Sequence, residues 1–123
     1  MPEARAIAVV DDDESVREAL QRFLRTFGFH VETFASGRDL LRSSRLAFVE
    51  CVILDLAMPD MSGLEVQQQL AARPRAIPIL FITAHRDDPL GQRAAVVGAL
   101  AVLRKPVDQD ELLRSVREAL GEE

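Results

Sequence analysis

The stretch Glu50-Cys51-Val52-Ile53-Leu54-Asp55-Leu56-Ala57-Met58-Pro59-Asp60-Met61-Ser62-Gly63 decides the fold. Glu50–Leu54 is a short apolar, β-rich run, apolar enough for a strand buried on both faces, as in a parallel sheet. Asp55–Ser62 reads as a loop through Met58-Pro59. Ser62 then caps a helix that turns Leu64, Val66 and Leu70 inward. Strand, short polar loop and amphipathic helix together make one strand–helix unit.

The same unit recurs on both sides. Upstream, Ala6–Val10 is a strand that ends at Asp11-Asp12-Asp13-Glu14. Val16, Ala19, Leu20, Phe23, Leu24 and Phe27 follow at helical spacing, with Gly28 where a C-cap is expected. His30–Phe34 alternates like a strand, and Ser36 opens a helix with Leu40 and Leu41 inward. Downstream, Pro78–Ile82 is a buried strand. Asp88-Pro89 reads as N-cap and first turn of a helix that stops near Gly98. Ala99–Leu103 is the last strand, and Asp108 through Glu111 has capping-box spacing before a stripe of Leu112, Leu113, Val116 and Leu120. Five such units predict an α/β domain: a five-stranded parallel sheet with five helices on its two faces.

Composition sets limits on function. A chain of 123 residues suits one domain, expected to span 1–123, with a core that needs no disulfide or metal staple. No stretch approaches the ~20 apolar residues of a membrane span, and the N-terminus lacks a signal pattern. One cysteine, Cys51, cannot form an internal disulfide and is expected to pack as a small buried hydrophobe. These features predict a cytoplasmic setting without membrane contact. A net charge of −5, with no Trp or Tyr, argues against direct nucleic-acid binding by electrostatics or base stacking. Of 15 basic residues, one is lysine, Lys105, and the rest are arginine. The two differ where chemistry needs a compact ammonium, so Lys105 stands out.

In open parallel sheets, ligands bind at the carboxyl ends of the strands. Asp11, Asp12 and Asp13 follow the first strand, Asp55 the third, Thr83 the fourth and Lys105 the fifth. Each has a plain alternative. Asp13 is best read as a helix cap, and Asp11 and Asp12 exceed what one cap needs. Asp55 alone would be a loop residue, Thr83 alone a strand-end hydroxyl, and Lys105 alone a solvated cation. If the first and third strands are neighbours, these residues converge. Three carboxylates in one pocket then call for a proton or a cation. All-oxygen ligands suit a hard cation, Mg²⁺ better than Ca²⁺, and no His or Cys is present for zinc. A lysine and a hydroxyl beside that cluster point to a phosphoryl group, with Asp55 the best nucleophile.

Four segments carry a resemblance: VVDDDESVREAL (9–20), VILDLAMPDMSGLEV (52–66), ILFITAH (79–85) and GALAVLRKPVD (98–108). In this order and spacing, the sequence resembles the receiver domain of two-component response regulators, most closely the nitrogen-fixation-type regulators. The resemblance implies a flavodoxin-like, doubly wound sheet of order 2-1-3-4-5; that order is carried over from the family. It implies that Asp55 accepts a phosphoryl group from a sensor histidine kinase in a Mg²⁺-dependent reaction. Asp12 would bind the ion directly, Asp11 through water, and the Ala57 carbonyl would be a further ligand. Thr83 would donate to the phosphoryl group, and Lys105 would pair with the acids and then with the phosphoryl oxygen. The Lys105-Pro106 bond is cis in many relatives. The domain would be no enzyme beyond its own phosphorylation and autodephosphorylation. It would switch an output domain or downstream protein through the face formed by the helix after Asp88, the strand Ala99–Leu103 and the last helix. A homodimer formed on phosphorylation is a further expected partner.

Val102 departs from the pattern, because the family often has Phe or Tyr there as a switch coupled to Thr83. Ala57 and His85 occupy positions expected to tune the lifetime of the phosphorylated state. Ala57 would leave the path of hydrolytic water open, and His85 is expected at the surface more than as a base. Two alternatives remain beside this reading: a constitutive pseudo-receiver scaffold and a flavodoxin-like binding module. The acidic loop at Asp11–Glu14 would repel the phosphate that the second requires.

Overall fold

Alternation along the strands builds two cores, one on each side of the sheet. The computed structural model describes residues 5–84 and 99–122. Its strands are β1 (Ala6–Val10), β2 (His30–Phe34), β3 (Val49–Asp55), β4 (Ile79–Thr83) and β5 (Ala101–Arg104). They form one parallel sheet in the order β2-β1-β3-β4-β5. The helices are α1 (Glu14–Arg25), α2 (Gly37–Arg42), α3 (Gly63–Ala71) and α4 (Gln109–Ala119). On one face, Ile7, Val9, Val31, Cys51, Ile53, Leu80 and Ile82 pack with Leu20 and Leu24 of α1 and with Leu112 and Val116 of α4. On the other, Ala8, Val10, Val52, Leu54 and Phe81 meet Leu40 of α2 and Leu64, Val66 and Leu70 of α3. Successive strand residues point to opposite faces, so both sides of the central strands must be apolar. Each large side chain taken fully out of water contributes about 1.5–3 kcal/mol, which makes these two layers the main stabilising term.

Side-chain caps set where the helices begin. Asp13, Ser36, Ser62 and Asp108 accept backbone N–H groups of Ser15, Asp39, Glu65 and Glu111, respectively. Each satisfies a donor that has no partner within its own helix. Gly28, at φ 88°, lies beyond the Thr26 cap of α1 and turns the chain toward β2.

The five-stranded parallel sheet and its order agree with expectation. Four α-helices are present among the described residues, where five were expected; the helix expected from Asp88 to Gly98 lies outside those residues, as does His85. A 3₁₀ segment, Ser44–Phe48, was not anticipated. Five residues are too few for periodicity to register, and only Leu46 among them is buried. Three strands are displaced from their expected bounds: β3 runs to Asp55, β4 to Thr83, and β5 covers Ala101–Arg104 rather than Ala99–Leu103. Asp55 and Thr83 therefore belong to the ladder instead of following it, because each is still paired across, with Ile82 and Arg104. Cys51 is fully buried, and burial pushes its thiol up to about 12.

Candidate functional site

The buried polar and charged residues among those described are Asp11, Asp55 and Thr83. All three lie at the carboxyl ends of strands. Burying a charge is costly unless it is compensated, so their gathering at one edge needs a cause other than stability. Register provides the placement. Val10 of β1 stands opposite Leu54 of β3, so the next residues, Asp11 and Asp55, are level. Leu54 stands opposite Phe81 and Asp55 opposite Ile82, which brings Thr83 to the same edge.

Lys105 closes the pocket from the β5 side. Its backbone N–H donates to Thr83 O at 2.8 Å, and the Lys105-Pro106 peptide is cis. Lys105 Nζ lies 2.9 Å from Asp11 Oδ2 and 3.4 Å from Asp55 Oδ2. Asp11 Oδ1 accepts the Asp13 N–H at 2.9 Å, and Asp55 Oδ1 accepts the Ala57 N–H at 3.3 Å. Burial first, and then the Asp11 carboxylate, push the Asp55 carboxyl up to about 6, against the opposing pull of Lys105 and the Ala57 N–H. Desolvation works against the Lys105 ammonium, but its contacts with Asp11 and Asp55 outweigh it and hold the group above its ordinary range.

Charge and donor chemistry fit a hard divalent cation. Asp11, Asp12 and Asp55 each offer a carboxylate oxygen within 4.8 Å of the others. Asp11 Oδ2 is buried and, among the described residues, meets no hydrogen-bond donor besides the Lys105 ammonium. Lys105 approaches it as an ion pair at 2.9 Å. Three carboxylates face one ammonium, so a surplus of negative charge remains, and the donors are all oxygen. Asp12 and Ala57 are exposed beside the buried pair, which leaves the pocket open to solvent.

The structure brings Asp11, Asp12, Asp55, Thr83 and Lys105 to one edge. Asp13 takes the capping role instead: its carboxylate accepts both Ser15 N–H and Ser15 Oγ–H, which holds it below the usual carboxylate range. Val102 is half-buried against the α2–α3 core layer. Two features were not foreseen. Arg17 Nη1 donates to Asp11 O at 2.7 Å, reaching back from the first turn of α1. Asp60, to which the sequence assigned no role, adopts φ 69°, and Met61 N–H donates to Pro59 O at 2.8 Å. A Pro-Asp pair in a loop is the available signal for that turn, since Asp tolerates left-handed backbone.

A cavity of about 780 Å³ lies at the opposite end of the sheet and includes Arg5, Arg45 and Arg75 in its lining. Its arginines are already engaged. Arg5 pairs with Glu50, Arg45 with Glu32, and Arg75 donates to the Leu46 and Val49 carbonyls. The unresolved charge lies with the carboxylates.

Known proteins are similar to this chain in sequence and fold. The family described as "Response regulator receiver domain" matches residues 7–117. The chain is 42% identical over 117 residues to Response regulator protein TodT of Pseudomonas putida, covering 95% of this chain and 52% of that one. It is 36% identical over 121 residues to Transcriptional regulatory protein FixJ of Azorhizobium caulinodans, covering 98% and 57%. It thus spans about half the length of the curated relatives it matches. Among solved structures, a response regulator receiver protein from Burkholderia phymatum aligns with TM-score 0.83 and 41% identity over 97% of both chains. The crystal structure named FixJ-N aligns with TM-score 0.85 and 30% identity, over 98% of this chain and 96% of that one. A doubly wound sheet with acids and a lysine at its carboxyl edge, together with this match along nearly the whole sequence, places the chain in the response regulator receiver domain family.

Proposed function

We propose that residues 1–123 act as one receiver unit whose Asp55 carboxylate takes a phosphoryl group from the phosphohistidine of a sensor kinase. The observation that carries this reading is the buried Asp55 carboxylate held between Asp11 and Lys105. An Asp55 oxygen attacks phosphorus, the P–N bond of the donor breaks, and an acyl phosphate forms on Asp55. Asp12, Asp55 and the Ala57 carbonyl, with Asp11 through water, would hold Mg²⁺, which neutralises charge on the transferring oxygens when bound. Lys105 starts on Asp11 and Asp55 and follows the added charge to a phosphoryl oxygen. The Thr83 hydroxyl donates to another. That movement biases the face that carries β5 and α4 toward an output domain, a downstream protein or a second phosphorylated copy. Val102 replaces the aromatic side chain often found at its position, so the bias travels without a swinging ring. Ala57 leaves the attacking water's path open and so helps to set the lifetime of the acyl phosphate. The unit works in the cytoplasm and has no turnover beyond its own phosphorylation and dephosphorylation.

Acetyl phosphate with Mg²⁺ tests this directly. The chain is expected to gain one phosphoryl mass, and Asp55→Asn to gain none. Label that survives the substitution would refute the assignment, and a wild-type chain that takes no label would favour a constitutive scaffold.

A further inference from the structure

The end of β3 and the start of α3 meet more closely than two ordinary residues can. Gly63 N–H donates to Leu56 O at 2.9 Å, while Leu56 N–H donates to Ile82 O at 3.0 Å. The two peptide units that flank the Leu56 Cα are therefore gripped by β4 on one side and by α3 on the other. A Cβ added to Gly63 would lie 2.5 Å from Asp55 O, 2.9 Å from Leu56 Cα and 3.2 Å from Asp55 C. Every one of these obstacles is backbone, with no rotamer to swing aside. Gly63 has no left-handed φ, so a side chain is excluded there by space alone. The loop 57–62 folds back through the left-handed Asp60, and the Ser62 side chain then fixes the first turn of α3 by accepting Glu65 N–H.

We propose that Gly63 is a positioning residue for phosphoryl transfer, its bare Cα letting α3 seat against the Asp55 carbonyl and so fix where the Asp55 carboxylate stands. This rests on Asp55 being the phosphoacceptor. To restore ordinary contact of 3.4 Å, a methyl at Gly63 must part the two backbones by about 0.9 Å. The Leu56 N–H anchors the Asp55–Leu56 peptide to β4, so pressure on Asp55 O tilts that peptide about its anchor. Asp55 then moves relative to Lys105, now 3.4 Å away, and relative to Asp11. A misplacement approaching 1 Å at a reacting group can cost ~100-fold in rate.

The experiment compares Gly63→Ala, Ser62→Ala and Leu70→Ala with wild type. Leu70→Ala loosens α3 from the core without pushing on β3, so it reports what mere loss of stability does. Ser62→Ala removes only a cap and relaxes the first turn of α3, which keeps the test informative should Gly63→Ala fold poorly. Two quantities are read per folded molecule: the labelling rate with saturating acetyl phosphate and Mg²⁺, and the change in urea midpoint on adding Mg²⁺ alone. Gly63→Ala is expected to slow labelling ~10–100-fold and to shrink the Mg²⁺ effect, with Ser62→Ala following in the same direction by several-fold. Leu70→Ala should change neither quantity. A wild-type rate and Mg²⁺ effect in both Gly63→Ala and Ser62→Ala, or equal losses in Leu70→Ala, would overturn the proposal. Absence of label in the wild type would instead strike the phosphoacceptor reading, and the Mg²⁺ effect would still decide the role of Gly63.

Discussion

Removing the charge of Asp55 is expected to make the metal-free protein more stable. Asn keeps the shape of the side chain and discards the ionised form, whose carboxyl is pushed up to about 6 from an ordinary 3.8. Raising a carboxyl by one pH unit costs its ionised form about 1.4 kcal/mol, so an ionised Asp55 costs at most about 3 kcal/mol at neutral pH. Solvent reaching the open side of the pocket screens part of this, which leaves ~1–2 kcal/mol. The sign follows from proton binding. A carboxyl with a raised value in the folded state holds its proton more tightly when folded. Its stabilisation is complete below pH ~4 and lost as pH rises through about 6. Lys105 keeps Asp11 as a partner in the variant, so the substitution leaves no lysine stranded. Urea unfolding followed by far-UV circular dichroism, with a chelator present, measures the effect in a chain without Trp or Tyr. Asp55→Asn should exceed wild type by that margin at neutral pH, roughly 3–10 °C in Tm, and the margin should vanish toward pH ~4. Excess Mg²⁺ should close the gap by stabilising the wild type more than the variant. A variant less stable than wild type, or a margin independent of pH, would refute the electrostatic account.

Further outcomes follow from the same geometry. Lys105→Arg keeps the charge and the fold but puts a planar fork where the proposed function needs a point charge to move between Asp11 and the phosphoryl oxygen. It should unfold like wild type and, if the proposed homodimer forms in wild type with beryllofluoride and Mg²⁺, fail to form it, which sedimentation would show. Ser36→Ala removes the cap of α2 and should cost about 1 kcal/mol in urea unfolding, while the labelling rate stays at the wild-type value. Phe81→Ala empties the centre of the α2–α3 core layer, where Phe81 is fully buried. A loss of about 3–5 kcal/mol is expected, a large share of the ~5–15 kcal/mol of a typical domain.

The strands were legible wherever hydropathy alone defines them. Ala6–Val10 and His30–Phe34 fall where the sequence places them. The later strands were misplaced by one or two residues, because membership is decided by ladder pairing. Asp55 and Thr83 are polar yet remain in register with Ile82 and Arg104. The candidate residues at the carboxyl edge of the sheet were legible too, since a polar residue at the end of an apolar strand is conspicuous. Their electrostatics were not. How far the Asp55 carboxyl is raised depends on Asp11 being level with it, and that is a fact of register between strands far apart in the chain. The contact at Gly63 was equally hidden, because a glycine in a motif shows that a side chain is missing but not what it would have struck.

Lys105 has a consequence for handling as well as for signalling. It is the single lysine in these 123 residues, and its side chain is about one-quarter exposed. Acylating reagents, acetyl donors and aldehyde cross-linkers therefore find, apart from a chain terminus, one amine to attack. Modification there erases the ammonium that faces Asp11 and Asp55. Amine coupling to a surface or a dye would silence the pocket, whereas Cys51, fully buried, offers no easy thiol alternative. The same scarcity makes acylation of the peptide that contains Lys105 a gauge of whether its ammonium is engaged or free.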